Sequence, residues 1–137
     1  MKAFILALAL LCIAGTCESQ MWVASGTPST FQPAGAVQVT PDSVWLNGYA
    51  QAEKCVGLEG DVAAVTWFVV PGRSFKDTEG NEDIGLWVEP HSIFIAGDYK
   101  NFEWVATHES LHDLLRSGVH PKEVFGTLCH AMWGYLQ

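Results

Sequence analysis

Apolar residues recur at helical spacing in two stretches of the chain. In the first stretch, Thr40-Pro41-Asp42-Ser43 combines capping side chains with a proline suited to a first helical turn, and Gly57 supplies a stop. Between them lies one apolar stripe, formed by Val44, Trp45, Tyr49, Ala52 and Val56. We therefore predict a helix that begins within 40–43, with a hydroxyl as its cap and Pro41 in its first turn, and ends near Val56.

The second helical stripe lies late in the chain. Its members fall at i, i+4, i+7, i+8 and i+11, namely Trp104, His108, Leu111, His112 and Leu115. Asp98 or Asn101 can cap the start of this helix, and Gly118 is placed to take the left-handed conformation at its end. The histidines on the stripe should therefore face the protein.

Four segments rich in β-branched and aromatic residues predict strands, at 35–40, 62–70, 84–88 and 92–96. Glu89-Pro90-His91 joins the last two as a hairpin, and the polar segment 73–83 is predicted to be a surface loop. The order strand, helix, strand, strand, strand, helix predicts an α+β fold. We expect a twisted mixed β-sheet of about four strands packed on two helices.

The first 19 residues have the pattern of a signal peptide, with Lys2 before an apolar run that is too short to span a bilayer. A weak lipoprotein pattern at Cys17 is the alternative, and only lipid attachment there would give membrane contact. Residues 20–34 are rich in Ser, Thr, Gly and Pro and predict a flexible lead. The remaining segment, 35–137, is long enough for one domain.

Composition agrees with an exported globular domain. Hydrophobic residues make up 49% of the chain and charged residues 16%, and the formal net charge is −8. Loss of the signal would remove Lys2 and Glu18, one charge of each sign, and leave that balance unchanged. An acidic chain argues against nucleic acid as a partner and offers no basic patch for anionic lipid.

Two cysteines, Cys55 and Cys129, lie outside the signal segment. In an exported domain they predict one disulfide bond, closing a loop of about 75 residues worth on the order of 4 kcal/mol in the chain-entropy model. Neither belongs to a Cys-x-x-Cys pair, so a zinc role for the thiols is disfavoured.

Candidate metal ligands and a candidate catalytic residue lie in the motif His108-Glu109-Ser110-Leu111-His112. On a helix its two histidines lie one turn apart, about 6 Å along the axis, and can reach one metal ion. Glu109 is rotated by about 100° from His108, so it flanks the ion as a candidate general base rather than a ligand. The motif therefore provides two ligands and one catalytic carboxylate.

A hydrolytic zinc site needs three protein ligands and one open position. His120 is the favoured third ligand, because it follows the predicted helix stop and precedes Pro121, which bars a return to helix. Glu123 is the alternative third ligand. Imidazole ligands with an open position favour Zn²⁺ over other divalent metals.

The His108-Glu109-x-x-His112 motif resembles that of the zincin metallopeptidases, and the run HESLHDLLRSGVHP is similar to a segment of small secreted bacterial metalloproteases. A third histidine just after the active helix resembles the metzincin branch, although that branch's spacing would put the ligand at Gly118. Met132 is the only late methionine that could form that branch's Met-turn.

The resemblance implies a zincin-like fold, a bound zinc ion and hydrolysis of peptide bonds, with Glu109 accepting a proton from water. It also implies that a peptide or protein substrate adds to an edge strand, for which segments 84–88 and 92–96 are the candidates.

Further polar residues are weaker candidates. His130, Tyr135 and Tyr99 could stabilise an oxyanion, and Asp113 could either orient an imidazole or lie exposed on the helix. His91, at the hairpin tip, is predicted to be solvated. Two alternatives to an enzyme remain: an exported zinc-binding or protein-interaction module with little turnover, and a closed structural zinc site.

Overall fold

The structure is a computed structural model and describes residues 30–131. It contains two α-helices, a π-helical turn and six strands. The strands are β1 (Val37–Val39), β2 (Thr66–Val70), β3 (Phe75–Lys76), β4 (Glu82–Asp83), β5 (Gly85–Val88) and β6 (Ser92–Ala96). The helices are α1 (Ser43–Val56) and α2 (Glu103–Leu115), and the π-turn spans Glu123–Leu128.

The predicted α+β class and the four-stranded mixed sheet are confirmed. The sheet has the order β1-β2-β6-β5, in which β2 and β6 are parallel and the two outer pairs are antiparallel. The β5–β6 hairpin was predicted correctly. Only β5 is an edge strand of that pair, however, because β6 is hydrogen-bonded on both sides, so the expectation that 92–96 could accept a substrate strand is wrong.

Alternation along the strands divides the core between the two faces of the sheet. Trp67 on β2 and Ile93 and Ile95 on β6 face the helices, where they pack with Trp45 and Val105. The opposite face carries a second cluster of buried side chains, formed by Val70, Phe75, Val88, Phe94 and Ala96. Both faces of β6 are therefore buried, as expected for a central strand.

Helix α1 ends where the sequence predicts. Gly57 takes the left-handed conformation after Val56, and the Asp42 carboxylate, rather than a hydroxyl, caps the start by accepting from the backbone N–H groups of Val44 and Trp45. The helix packs closely on α2 at Gly48, where an added Cβ would lie 2.8 Å from that of Ala106. This approach sets the position of α2 beneath the sheet.

Two predicted boundaries are wrong because local networks form that sequence patterns do not show. Segment 73–83 is not a plain loop, since β3 and β4 pair within it and the Asp77 carboxylate closes the turn by accepting from the backbone of Glu79 and Asn81. The buried strand is also shorter than 62–70, because residues 62–64 form a 3₁₀ turn.

Helix α2 starts without a side-chain cap at Phe102, not with Asp98 or Asn101. It ends at Leu115 because Arg116, not Gly118, takes the left-handed conformation, with a φ of 51°. The Arg116 side chain donates to the carbonyl of Pro90 at 2.6 Å, a tertiary contact that accompanies this unusual backbone. The chain therefore leaves the helix earlier than the glycine predicts.

The predicted disulfide between Cys55 and Cys129 is present and joins α1 to the segment after the π-turn. Such a bond is compatible with an extracellular or periplasmic location. Within residues 30–131, no helix is long and apolar enough to span a membrane. The predicted signal segment, its Cys17, and most of the lead 20–34 lie outside the described residues.

Candidate metal centre

Three imidazoles meet at one point, which we call the triad: His108 and His112 from adjacent turns of α2, and His120 from the loop that follows. Their Nε2 atoms are separated by 3.2 Å (His108–His112), 2.9 Å (His108–His120) and 3.1 Å (His112–His120). Around a tetrahedral zinc ion with 2.0–2.1 Å bonds, such nitrogens would be about 3.3 Å apart. The triad therefore has the spacing of three ligands of one small cation.

Backbone carbonyls orient two of the rings. The Nδ1 of His108 lies 2.7 Å from the carbonyl oxygen of Ala131, and that of His112 lies 2.6 Å from that of Ser117. A carbonyl only accepts, so each Nδ1 carries the proton and each Nε2 presents a lone pair to the centre. Of the three converging Nε2 atoms, only that of His120 could carry a proton, which could bridge to the lone pairs of the other two rings. A metal ion would instead be bound by the lone pairs of all three rings.

Burial is the main cause that lowers the pKa of both helix histidines to about 4. For His108 the Ala131 carbonyl opposes this effect, and the charge of His120 adds to it. For His112 the Ser117 carbonyl opposes it, while the other two rings add to it. Both rings are therefore neutral at physiological pH, which is the protonation state that a ligand requires.

His120, rather than the alternative Glu123, lies with the two helix histidines. The metal-capable cluster in the described residues consists of the three histidines, and Glu123 lies exposed at the start of the π-turn. Gly118, where the metzincin spacing would put a ligand, instead lines the cavity beside the triad.

Glu109 is buried, with 5% of its surface exposed, and lines the same cavities as the triad. Its carboxylate packs directly beneath Gly85 of β5, where an added Cβ would lie 2.5 Å from Oε1. Burial raises the pKa of Glu109 well above its usual range, the negative charge of Asp83 adds to this, and the backbone N–H of Trp87 opposes it. A divalent cation at the triad would also oppose it.

The triad lies in a cleft along β5. One cavity, of about 350 Å³, extends toward Glu82 and Trp104, and a second, of about 220 Å³, follows β5 to Trp87; both are lined by His108, Glu109 and His120. The second reaches Gly118, which also lines a third and largely apolar cavity of about 600 Å³. The triad is therefore bordered by two cavities with shared lining residues, and the second shares Gly118 with the third.

Two residues of this cleft were missed by the sequence analysis. Asp83 is half-buried and lines both inner cavities, and burial is the largest cause that raises its pKa. Gly85 allows the close approach of Glu109, and a glycine inside a strand pattern was a signal that could have found it.

Phe125, in the π-turn, was also missed. Its ring is fully buried, and its centroid lies 5.0 Å from that of His108, 4.8 Å from that of His112 and 4.9 Å from that of His120. No motif singles out this phenylalanine, because its role depends on the fold of the segment after His120.

Asp113 is buried rather than exposed, and the imidazole that it holds is not a triad member. Its carboxylate accepts from the Tyr49 hydroxyl (2.9 Å) and Trp87 Nε1 (3.1 Å), and lies 3.0 Å from His91 Nδ1. We call these four residues the Asp113 network. His91, predicted to be solvated, therefore has a buried partner, and 22% of its side chain remains exposed.

The remaining candidates lie elsewhere or outside the described residues. Tyr99 packs against the core and contacts Phe102, and neither it nor His130 is among the described residues that line the inner cavities. Met132 and Tyr135 lie outside residues 30–131. The structure thus brings together three imidazoles and one buried carboxylate at an open cleft.

This arrangement can hold one divalent cation and place a proton acceptor beside it. Comparisons of the chain with protein-family models, with curated proteins and with solved structures found no match.

Proposed function

We propose that the chain is an exported zinc metallopeptidase with a minimal zincin-like domain, in which Glu109 is the general base. The observation that carries this proposal is the convergence of three Nε2 atoms within 3.2 Å of one another in a cleft that also holds the Glu109 carboxylate. The predicted export signal and the disulfide agree with a secreted or periplasmic location.

Zinc is the proposed metal because the donors are three imidazoles that leave one tetrahedral position free. Two of the rings are already held by carbonyls in the tautomer that a ligand needs. A zinc ion bound there would supply a Lewis acid for a carbonyl group and lower the pKa of water.

Glu109 would hold and transfer the proton. It follows the first ligand on α2, so helix geometry turns its carboxylate toward β5, beneath Gly85, while the triad faces the loop. This carboxylate is largely buried yet lines the cavities beside the triad, and burial strengthens its interaction with nearby charge. It would accept the proton of the attacking water and donate it to the leaving amine.

The edge strand β5 would bind the substrate backbone. Ile84 accepts from the backbone N–H of Ala96 at 2.9 Å, so in this antiparallel pair the alternate residues Gly85 and Trp87 direct their backbone groups away from β6. The N–H of Trp87 donates to Glu109 and that of Gly85 to Asp83, so a peptide would be bound through the carbonyl groups of these two residues, which border the cavities beside the triad. A peptide added there as an extra strand would pass beside the metal.

The test combines cleavage with metal analysis. The mature protein is incubated with an unfolded protein substrate, with and without a chelator, and compared with Glu109→Gln and with Glu103→Gln, an exposed carboxylate in the first turn of the same helix. We expect chelator to stop cleavage, Glu109→Gln to lower it by about 10²- to 10⁴-fold with one zinc retained, and Glu103→Gln to behave like the wild type.

Retained zinc with no cleavage of any peptide in a library would overturn the peptidase and favour the exported zinc-binding or interaction module. Absence of zinc from the wild-type protein would overturn both. Unfolding of the domain on zinc removal, together with a fourth protein ligand, would identify a structural site.

A further inference from the structure

We infer that Phe125 is a positioning residue for the metal site, forming the apolar floor on which all three triad imidazoles rest. This inference depends on the proposed binding of a metal ion by the triad, and not on peptide hydrolysis.

The geometry points to Phe125 because one ring contacts all three proposed ligands. The three centroid separations lie between 4.8 and 5.0 Å, within the range of favourable aromatic contacts. The Phe125 side chain has no exposed surface. It therefore closes the side of the triad that faces the protein interior.

His120 depends on this contact most. It lies exposed on a loop next to Val119, which is also exposed, and no helix or strand holds its backbone. Within residues 30–131, the hydrogen bonds of its side chain run to the other two imidazoles, whereas His108 and His112 are each held by a carbonyl. Contact with Phe125 is what ties the His120 ring to the core.

Phe125 is itself held firmly. Its backbone N–H donates to the carbonyl of Pro121 at 2.9 Å, and its own carbonyl accepts from Ala131 at 2.7 Å. Cys129, between Phe125 and Ala131, is bonded to Cys55 of α1. The segment that supplies the floor thus also supplies the Ala131 carbonyl that orients His108, and a disulfide fixes it to the body of the fold.

Preorganisation of the three imidazoles explains why the Phe125 ring should affect metal affinity. Three imidazoles that are already restricted in position lose less conformational freedom when they bind an ion, and an apolar ring behind them keeps water from competing for their nitrogens. Changes in residues that support metal ligands typically lower metal affinity by about 10- to 100-fold. We expect Phe125→Ala to fall in that range.

The experiment measures Zn²⁺ affinity by competition with a chromophoric chelator and records the visible absorption of the Co²⁺-loaded protein, which reports ligand geometry. Phe125→Ala is compared with Phe94→Ala, a matched control because Phe94 is equally buried but lies on the other face of the sheet, stacked on Phe68 at 4.5 Å. Phe125→Met and Phe125→Leu, which keep most of the side-chain volume, accompany the alanine variants.

We expect Phe125→Ala to bind Zn²⁺ about 10- to 100-fold more weakly and to alter the Co²⁺ spectrum, and Phe125→Met to recover most of the affinity. Phe94→Ala should lose stability but keep both metal properties. If Phe125→Ala does not fold, Phe125→Val is compared with Phe94→Val, because valine also removes most of the ring that contacts the three imidazoles; the same weaker binding and altered Co²⁺ spectrum are expected for Phe125→Val alone.

Equal metal affinity and equal Co²⁺ spectra in Phe125→Ala and Phe94→Ala, or in the two valine variants where the alanine variant does not fold, would overturn the inference while leaving the metal site intact. A wild-type protein that binds neither ion would instead overturn the proposed function.

Discussion

His112 and Asp113 are neighbours on α2, yet they belong to two clusters that differ in how their hydrogen-bond donors and acceptors are matched. His112 joins the triad, in which three nitrogen atoms capable of accepting meet one another. Asp113 joins a network in which a buried carboxylate meets the hydroxyl of Tyr49, the indole N–H of Trp87 and the ring of His91. Both clusters contain histidine, but the triad includes the exposed His120, whereas Asp113 is buried.

The difference lies in how the polar groups are matched. In the Asp113 network, donors surround an acceptor, so the cluster is satisfied by the protein alone. In the triad, the protein supplies acceptors, and the positively charged partner that we propose is a metal ion from solution. A histidine beside a buried acid therefore has a partner within the fold, whereas the three histidines that face one another have the spacing to hold a metal ion.

The strongest test of this difference between the clusters is to remove one histidine from each. We expect His112→Ala to weaken Zn²⁺ binding by roughly 10²- to 10³-fold, the share of one ligand in a typical zinc-site free energy. His91→Ala should leave metal affinity unchanged. Isothermal titration of both variants with Zn²⁺ measures the difference, and equal losses would contradict the assignment of the triad.

A second change should affect stability rather than metal binding. Asp113→Ala removes a carboxylate that is 2% exposed and leaves the Tyr49 hydroxyl and the Trp87 indole N–H without their acceptor, so we expect the free energy of unfolding to fall by about 3 kcal/mol. Asp113→Asn should lose less. Denaturant unfolding of the metal-free proteins gives the values, and Zn²⁺ affinity that falls with stability would show that the clusters are not separate.

Gly85 tests the contact between β5 and the triad side of α2. Gly85→Ala places a Cβ within 2.5 Å of Glu109 Oε1, so the carboxylate must move. We expect kcat/KM for peptide cleavage to fall by about 10²-fold, the effect of a displacement near 1 Å, with zinc retained. Gly97→Ala is the control for a general effect of backbone substitution, because an added Cβ there would make only ordinary contacts, the nearest at 3.5 Å from the Val70 carbonyl oxygen.

The smallest predicted effect is that of Tyr49→Phe. This change removes one donor to Asp113 and should lower the free energy of unfolding by about 1.5 kcal/mol. Burial, followed by the hydrogen bond and negative charge of Asp113, raises the pKa of the Tyr49 hydroxyl above its usual range, so the group is a neutral donor at physiological pH. An unchanged denaturation midpoint would indicate that water replaces the hydroxyl.

Local geometry explains which of these features the sequence could predict. The spacing of His108 and His112 fixes their shared face on any helix, and Gly57 ends α1 because only a glycine takes the left-handed conformation without strain. The disulfide was predicted from the count of cysteines beyond the signal segment and confirmed by the structure. His120 was predicted from a helix stop, although the actual stop lies at Arg116.

Features that depend on distant residues could not be predicted in this way. Tyr49 meets Asp113 across 64 positions, and the Phe125 ring reaches the triad only because the chain folds back after Pro121. The left-handed Arg116 accompanies a contact with Pro90 that no local pattern encodes. Tertiary contacts of this kind decide which of several local possibilities is adopted.

The disulfide has a consequence for how the two histidine clusters tolerate reduction. In the chain, Cys129 lies between Phe125 and Ala131. All four members of the Asp113 network precede Cys129 by at least 16 positions. Opening the bond would release a tether from the floor beneath the triad and from the carbonyl that orients His108. A reagent that reduces the disulfide without chelating metals should therefore loosen the proposed metal site before it disturbs the contacts around Asp113.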